Sequence, residues 1–218
     1  MAKILLERDE INPDKPSNDG RTALYEAARN GHVGGVKMLL QRSEVNPDKP
    51  ENNGWTPLWS AAYNGHADVV KMLLEQDEVN PDKPDNCGRA PLWFAALKDY
   101  AGVVKMLLER PDVNPDKPNT NGRTPLLCAA WNGHAEVVKM LLERDEVSPD
   151  KTDNDGRTPL SYSAGNGYAE VVEILLRRDD VDPSKRDAYG QTPLWMATRR
   201  NHTAVLALLG PAGPSVCR

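Results

Sequence analysis

The sequence predicts an all-α solenoid: six hairpin–helix–helix units stacked in series, preceded by an N-terminal half-helix stub. Three observations predict it. A block of residues returns every 34 positions, each block holds two short amphipathic helix patterns, and an apolar content of 39% over 218 residues suits an elongated stack better than one round core. Asn12-Pro13-Asp14-Lys15-Pro16 recurs at 46–50, 80–84 and 114–118, with weaker copies starting at Ser148 and Asp182. A glycine follows in register at Gly20, Gly54, Gly88, Gly122, Gly156 and Gly190. Scattered Pro and Gly at this abundance would signal disorder; held at fixed intervals, they punctuate a repeat.

Within a unit, the first element is a loop. Pro-Asp-Lys-Pro and the recurring glycine predict a protruding turn or hairpin. Thr-Pro-Leu then opens a helix at Thr56, Thr124, Thr158 and Thr192, with Thr22-Ala23-Leu24 and Ala90-Pro91-Leu92 as variants. The Thr hydroxyl caps an orphan N–H, and Pro at the first helical position has no N–H to lose. Ala61-Ala62 and its equivalents keep this helix thin where a neighbour approaches. It stops at Gly31, Gly65, Gly133 and Gly167, where a left-handed residue is needed, and Asp99 and Asn201 fill that place in units three and six. A second helix follows, as in Val69-Val70-Lys71-Met72-Leu73-Leu74, whose apolar residues form one stripe. Glu136 in a first turn and Arg144 near a helix end suit the dipole. Neither helix buries its stripe alone, so the units must stack.

Composition narrows the chemistry. With 27 basic and 32 acidic residues, the net charge of −5 gives no reason to expect nucleic acid or an anionic membrane as partner. Cys87, Cys128 and Cys217 are too few and scattered for a disulfide framework or a zinc site, and point to a reducing compartment. The reading is therefore cytoplasmic or nuclear, with no cofactor, no metal and no membrane span. His32, His66, His134 and His202 share one slot that Tyr100 and Tyr168 fill in units three and five. Replacement by Tyr argues for a structural hydrogen bond, not metal ligation. No catalytic triad spacing or phosphate-binding glycine loop is present in the sequence.

Gly-Arg-Thr-Pro-Leu, Ala-Ala, Asn-Gly-His and Val-Val-Lys-Met-Leu-Leu resemble the ankyrin repeat over residues 1 to about 210. The Asn-Pro-Asp-Lys-Pro loop and the Trp after Thr-Pro-Leu resemble ankyrin arrays of filamentous fungi, which often form the sensor part of large signalling proteins. The resemblance implies a curved stack, with hairpins and first helices lining a concave groove and second helices forming the back. It also implies a non-catalytic module that binds another protein or peptide. The chain departs from the pattern where the family has His after Thr-Pro-Leu; Tyr25, Trp59, Trp93, Leu127, Ser161 and Trp195 stand there.

Residues constant across the units build the stack, and those that vary are free to recognise a partner. Besides the row just named, Arg29, Tyr63, Leu97, Trp131, Gly165 and Arg199 lie four residues on, on the same helix face. Arg21, Trp55, Arg89, Arg123, Arg157 and Gln191 precede the Thr. Eight of the twelve aromatic residues fall on first helices, and aromatics beside Arg are the composition of interface hot spots. The expected partner-binding set is Trp55, Trp59, Tyr63, Arg89, Trp93, Leu97, Arg123 and Trp131. A packing role for the Trp59 row weighs evenly against a binding one. Glu26, Ser60, Phe94, Cys128, Tyr162 and Met196 are expected to be semi-buried. The alternative function is a small-molecule binder or enzyme using the same groove, with Glu26, Cys128 or Tyr162 as its polar groups. Asp14-Lys15 and its equivalents up to Asp116-Lys117 are expected to be solvated.

The organisation expected is one domain over 1–210, with units near 11–44, 45–78, 79–112, 113–146, 147–180 and 181–210, and a loose tail at 211–218. Ala2–Arg8 aligns with the end of a second helix, so the chain starts mid-repeat. Ile4, Leu5 and Leu6 at one end and Val205, Leu206 and Leu208 at the other are expected to leave apolar edges capable of weak end-to-end self-association.

Overall fold

Each Thr-Pro pair starts a helix in the way its chemistry suggests. The hydroxyls of Thr22, Thr56, Thr124, Thr158 and Thr192 accept the backbone N–H three residues on, at 3.0–3.2 Å. Ala90 has no such oxygen, and Pro91 alone marks that start. The computed structural model describes residues 12–210, in two compact units, one running to Val113 and the other from Asn114. The stub and the 211–218 tail lie outside the described residues.

The first unit contains α1 (Ala23–Arg29), α2 (Val33–Leu40), α3 (Pro57–Asn64), α4 (Ala67–Leu74), α5 (Pro91–Leu97) and α6 (Ala101–Leu108). The second contains α7 (Pro125–Asn132), α8 (Ala135–Leu142), α9 (Pro159–Asn166), α10 (Ala169–Leu176), α11 (Pro193–Arg199) and α12 (Thr203–Leu209). There are no strands among the described residues. Odd-numbered first helices pack on one another within each unit, and even-numbered second helices form a second layer beside them. The buried stripe is the repeated one: Val69, Val70 and Leu73 on α4 recur as Val103, Val104 and Leu107 on α6 and as Val137, Val138 and Leu141 on α8.

Between the two helices of a repeat the chain turns through a left-handed residue. Gly65 has φ 73°, and Asp99 and Asn201 adopt 62° and 56° in the same place. Glycine has a second reason to stand there: a Cβ on Gly65 would sit 2.8 Å from the Tyr100 ring, and one on Gly31 2.8 Å from His66. The histidine slot thus packs against the preceding turn. His66 Nε2 donates to the Arg29 carbonyl at 3.0 Å and His202 Nε2 to the Gly165 carbonyl at 3.1 Å, the structural hydrogen bond expected of this slot.

The loops are laced together, and here one expectation is corrected. Asp14 and its equivalents do not form solvated pairs with the lysine next in sequence. Lys49 Nζ reaches back one repeat to Asp14 Oδ2 at 2.8 Å and to the Asp14 carbonyl at 2.9 Å. The same pair of bonds joins Lys83 to Asp48, Lys151 to Asp116 and Lys185 to Asp150. Asp116, expected to be exposed, is buried. Burial raises the pKa of the Asp48 and Asp116 carboxyls despite the lysine beside each. Nearer the hairpin tips, Asn52 N donates to the Asp19 carbonyl at 3.1 Å and Asn154 N to the Asn121 carbonyl at 3.0 Å. At the last helix a second correction arises. Val205, expected at an open apolar edge, is fully buried, because α12 packs on both α10 and α11. Leu206 and Leu208 are half-buried.

Candidate functional site

The variable rows occupy the first-helix face of each unit. In the first unit three rings stack in sequence. Trp55 lies 4.5 Å from Trp59 at an interplanar angle of 2°, and Trp59 lies 5.3 Å from Tyr63 at 9°. Phe94 meets Trp59 edge-on at 4.4 Å. Trp55 sits just before the cap and Tyr63 one helical turn past Trp59, so the helix spacing itself produces the column. Trp59 is buried, and its indole N–H donates to the Arg89 carbonyl of the next repeat at 3.2 Å. Trp93 is buried as well. Trp59 is therefore packed against the next repeat and Trp93 edge-on against Phe94 at 4.8 Å, while Trp55 and Leu97 are half-buried and Tyr63 is 37% exposed. The Lys98 ammonium stands 5.2 Å from the centre of the Tyr63 ring. Together these side chains border a concavity of about 440 Å³.

The second unit holds a separate concavity of about 440 Å³, bordered by Trp131, Tyr162, Gly165, Trp195, Arg199 and Arg200. Trp131 is half-buried and stacks on Tyr162 at 4.6 Å and 10°. The Arg123 guanidinium lies 4.4 Å from the Trp131 ring centre. Trp195 is 42% exposed, unlike its buried equivalents.

Three of the arginines that precede the caps, Arg89, Arg123 and Arg157, are held by buried carboxylates, a row that sequence reasoning missed. Asp85 Oδ1 accepts the backbone N–H of Cys87 and of Arg89, both at 2.9 Å, closing the hairpin, and Oδ2 accepts Arg89 Nε at 2.8 Å. Asp153 closes the next-but-one hairpin in the same way and accepts the Tyr162 hydroxyl at 2.7 Å, with Arg123 Nε at 3.5 Å. Asp187 repeats the hairpin closure and pairs with Arg157 Nε at 3.2 Å. Glu51 stands at the matching position before Trp55. The signal was a polar residue four positions before each arginine, variable in type and hence easily passed over.

Of the row expected to be semi-buried, Ser60, Phe94, Cys128 and Tyr162 are buried, and Glu26 and Met196 are half-buried. Two of the polar groups offered for the alternative function are engaged in packing. Burial drives the Cys128 thiol far above its ordinary pKa, which removes thiolate character. Burial also raises the Tyr162 phenol, and its hydroxyl is committed to Asp153. Glu26 pairs with Arg21 at 3.5 Å. Among the described residues no cluster of three His, Cys, Asp or Glu side chains is arranged for a metal, and no helix is long and apolar enough to cross a membrane.

Such an array of stacked helix pairs, regular in its packing rows and variable on one face, defines a repeat protein. The pattern of the family described as "Ankyrin repeats (3 copies)" matches residues 1–85, 36–118, 78–153 and 145–218, and the chain belongs to the ankyrin-repeat family. No curated protein matches the chain significantly. Ankyrin repeats are generally protein–protein interaction modules, and the family is typically non-catalytic.

Proposed function

We propose that this chain binds a peptide or folded protein through the first-helix faces of its two units. Trp55, Tyr63 and Leu97 are the contacts on the first unit and Trp131 is the contact on the second, with Arg89 and Arg123 at the edges. Trp59 and Trp93 support the contact surface from below. One observation carries the reading: the constant rows and most of the Trp59 row are buried, while the row four residues on leaves Tyr63 37% exposed and Leu97 and Trp131 half-exposed. Large rings ordered by stacking lose little freedom on binding, which lowers the entropic cost of association. In this reading residues 1–210 act as one domain of a larger scaffold or sensor protein.

The test is affinity capture from the source organism with the wild type, with Tyr63→Ala/Trp131→Ala, and with the second-helix variant Glu136→Lys/Lys139→Glu. Loss of the captured proteins from the first variant alone, at an unchanged melting temperature, is expected. Retention by that variant and loss from the second-helix variant would refute the assignment.

A further inference from the structure

The notch over Gly165 differs from every other position of the variable row. Tyr63, Leu97 and Trp131 fill the equivalent place in the three preceding repeats, and Arg29 and Arg199 stand there in the first and last. Gly165 puts no side chain there. It is itself buried, with Met196 Cβ, Sδ and Cγ 3.4–4.0 Å from where a Cβ would stand, and Trp131 on α7, Trp195 on α11 and Met196 border the open space beside it. The glycine is not required by the backbone. It lies in the last turn of a helix, and an added Cβ would meet Met196 Cβ at 3.4 Å, an ordinary contact.

The charge around the notch has one sign. Arg157, Arg199 and Arg200 line it, and no carboxylate does. Arg157 is balanced by Asp187. Arg200 donates to two neutral acceptors, the Gly165 carbonyl at 2.7 Å and Asn166 Oδ1 at 2.8 Å, and Arg199 lies over the Trp195 ring at 5.4 Å. Two positive charges therefore face the space without a carboxylate partner among the described ion pairs. The bias extends along the sequence. From the residue before each cap to the residue before each left-handed turn, the six repeats carry eight basic side chains and one acid, Glu26, in a chain of net charge −5.

We propose that the Gly165 notch receives an apolar side chain of a protein partner whose neighbouring Asp or Glu pairs with Arg199 and Arg200, so that the partner presents an acidic, apolar peptide segment. The proposal rests on the first-helix face being the binding face. Trp131 and Trp195 supply apolar walls, and the guanidinium groups supply donors suited to a carboxylate. Burial of the apolar side chain beside the arginines lowers the local dielectric and strengthens that pairing.

Random peptides displayed on phage and selected on the wild-type protein test this directly. Enriched sequences are expected to place Asp or Glu within a few residues of Trp, Phe, Leu or Met. A labelled peptide from that set, titrated by fluorescence anisotropy, is expected to bind about tenfold or more weakly to Gly165→Leu and to Arg199→Glu. Its own Glu→Gln version should weaken similarly on the wild type. Gly165→Leu must share its site with Met196, so its melting temperature is read beside the wild type's. Arg199→Glu, at an exposed side chain, is the arm that leaves the packing unchanged and separates loss of binding from misfolding. Enriched peptides without acids, or peptides insensitive to both variants, would overturn the notch. If such peptides are instead lost on Tyr63→Ala/Leu97→Ala, the first-helix face stands and only the notch falls. If no variant of that face weakens them, both fall. Failure to enrich any sequence, with a single-stranded oligonucleotide bound through Arg199, would assign the cations to a nucleic acid and overturn the peptide proposal.

Discussion

Replacing Asp116 by Ala tests whether the Asp–Lys ladder stabilises the stack or only decorates it. The substitution removes the carboxylate that Lys151 Nζ approaches at 2.8 Å and leaves the ammonium with the residue-116 carbonyl, at 2.9 Å, as its remaining bond. Breaking a fully buried pair costs about 3–5 kcal/mol, and an exposed pair is worth about 0–1 kcal/mol. The Asp116 side chain is 12% exposed and that of Lys151 36%, so water recovers part of the ammonium once its partner is gone. The expected cost is therefore intermediate, about 1–2 kcal/mol, or a fall of about 2–8 °C in melting temperature for a domain of this size. The assay is thermal unfolding of wild type, Asp116→Ala, Lys151→Met and the double variant, at low and high salt. A coupling of about 1 kcal/mol that survives high salt is expected, since a half-buried pair is weakly screened. Folding raises the Asp116 pKa, so the folded state takes up that proton first as the pH falls. The carboxyl then adds stability as the pH falls through its folded pKa, and the gap between wild type and Asp116→Ala should persist at neutral pH and widen as the carboxylate range is entered. Melting of Asp116→Ala within experimental error of the wild type, or a coupling abolished by salt, would refute the reasoning.

Three further outcomes are expected. Gly122→Val should cost about 3 kcal/mol or more, exceeding Asp116→Ala, because φ is 77° and a Cβ would lie 2.8 Å from Asn154 Oδ1 and 3.0 Å from its backbone N; chemical denaturation giving equal losses would contradict this. Trp59→Ala should cost about 3–5 kcal/mol through the cavity it leaves, and Tyr63→Ala about 1 kcal/mol or less, so only the second is a clean probe of binding; comparable losses in urea would show that Tyr63 belongs to the core. Exposed Cys87 should react with iodoacetamide in the folded protein while buried Cys128 reacts only after unfolding, read by peptide mass mapping; alkylation of Cys128 at the rate of Cys87 would show that the first helices open readily.

The parts of the fold governed by local chemistry were legible in the sequence. Thr56 and Pro57 announce a helix start through hydrogen-bonding capacity and ring geometry alone, and Gly65, Asp99 and Asn201 announce a left-handed turn through their tolerance of positive φ. The ladder was harder to read because its partners are set by the stacking pitch. Asp14 and Lys15 are neighbours in the chain, yet the contact is made by Lys49, 35 residues away. The buried carboxylates of Asp85, Asp153 and Asp187 were hidden for a related reason. An acid in a polar loop looks solvated until the loop is seen to fold back on it. For the candidate site, helical spacing assigned the rows to one face but not the depth of each row. Whether Trp59 faces a partner or the next repeat depends on where that repeat's Arg89 carbonyl lies, which no local pattern encodes.

On the proposed binding face, recognition would draw on side chains that also stack the repeats, and this constrains how that face can vary. Trp59 both separates adjacent repeats and holds Trp55 and Tyr63 in one column, so a change there alters the stack together with the surface above it. The residue four positions further along carries no such double duty. Its occupants are Tyr63, Leu97, Trp131 and Gly165 in successive repeats, a range from the largest side chain to none, with helices of the same form beneath each. A row that spans so wide a range of volume on helices of one form does not determine that form, although Tyr63 and Trp131 stack on their neighbours, and on the proposed reading its residues can follow the shape of a partner. The arginine row lies between these extremes. Arg89 and Arg157 are anchored to buried carboxylates of the hairpins, which fixes their guanidinium planes beside Phe94 and Tyr162. On the proposed reading they present fixed edges to a partner, whereas Arg199, which lies over an exposed Trp195 and has no carboxylate partner among the described ion pairs, keeps its charge available for an anion.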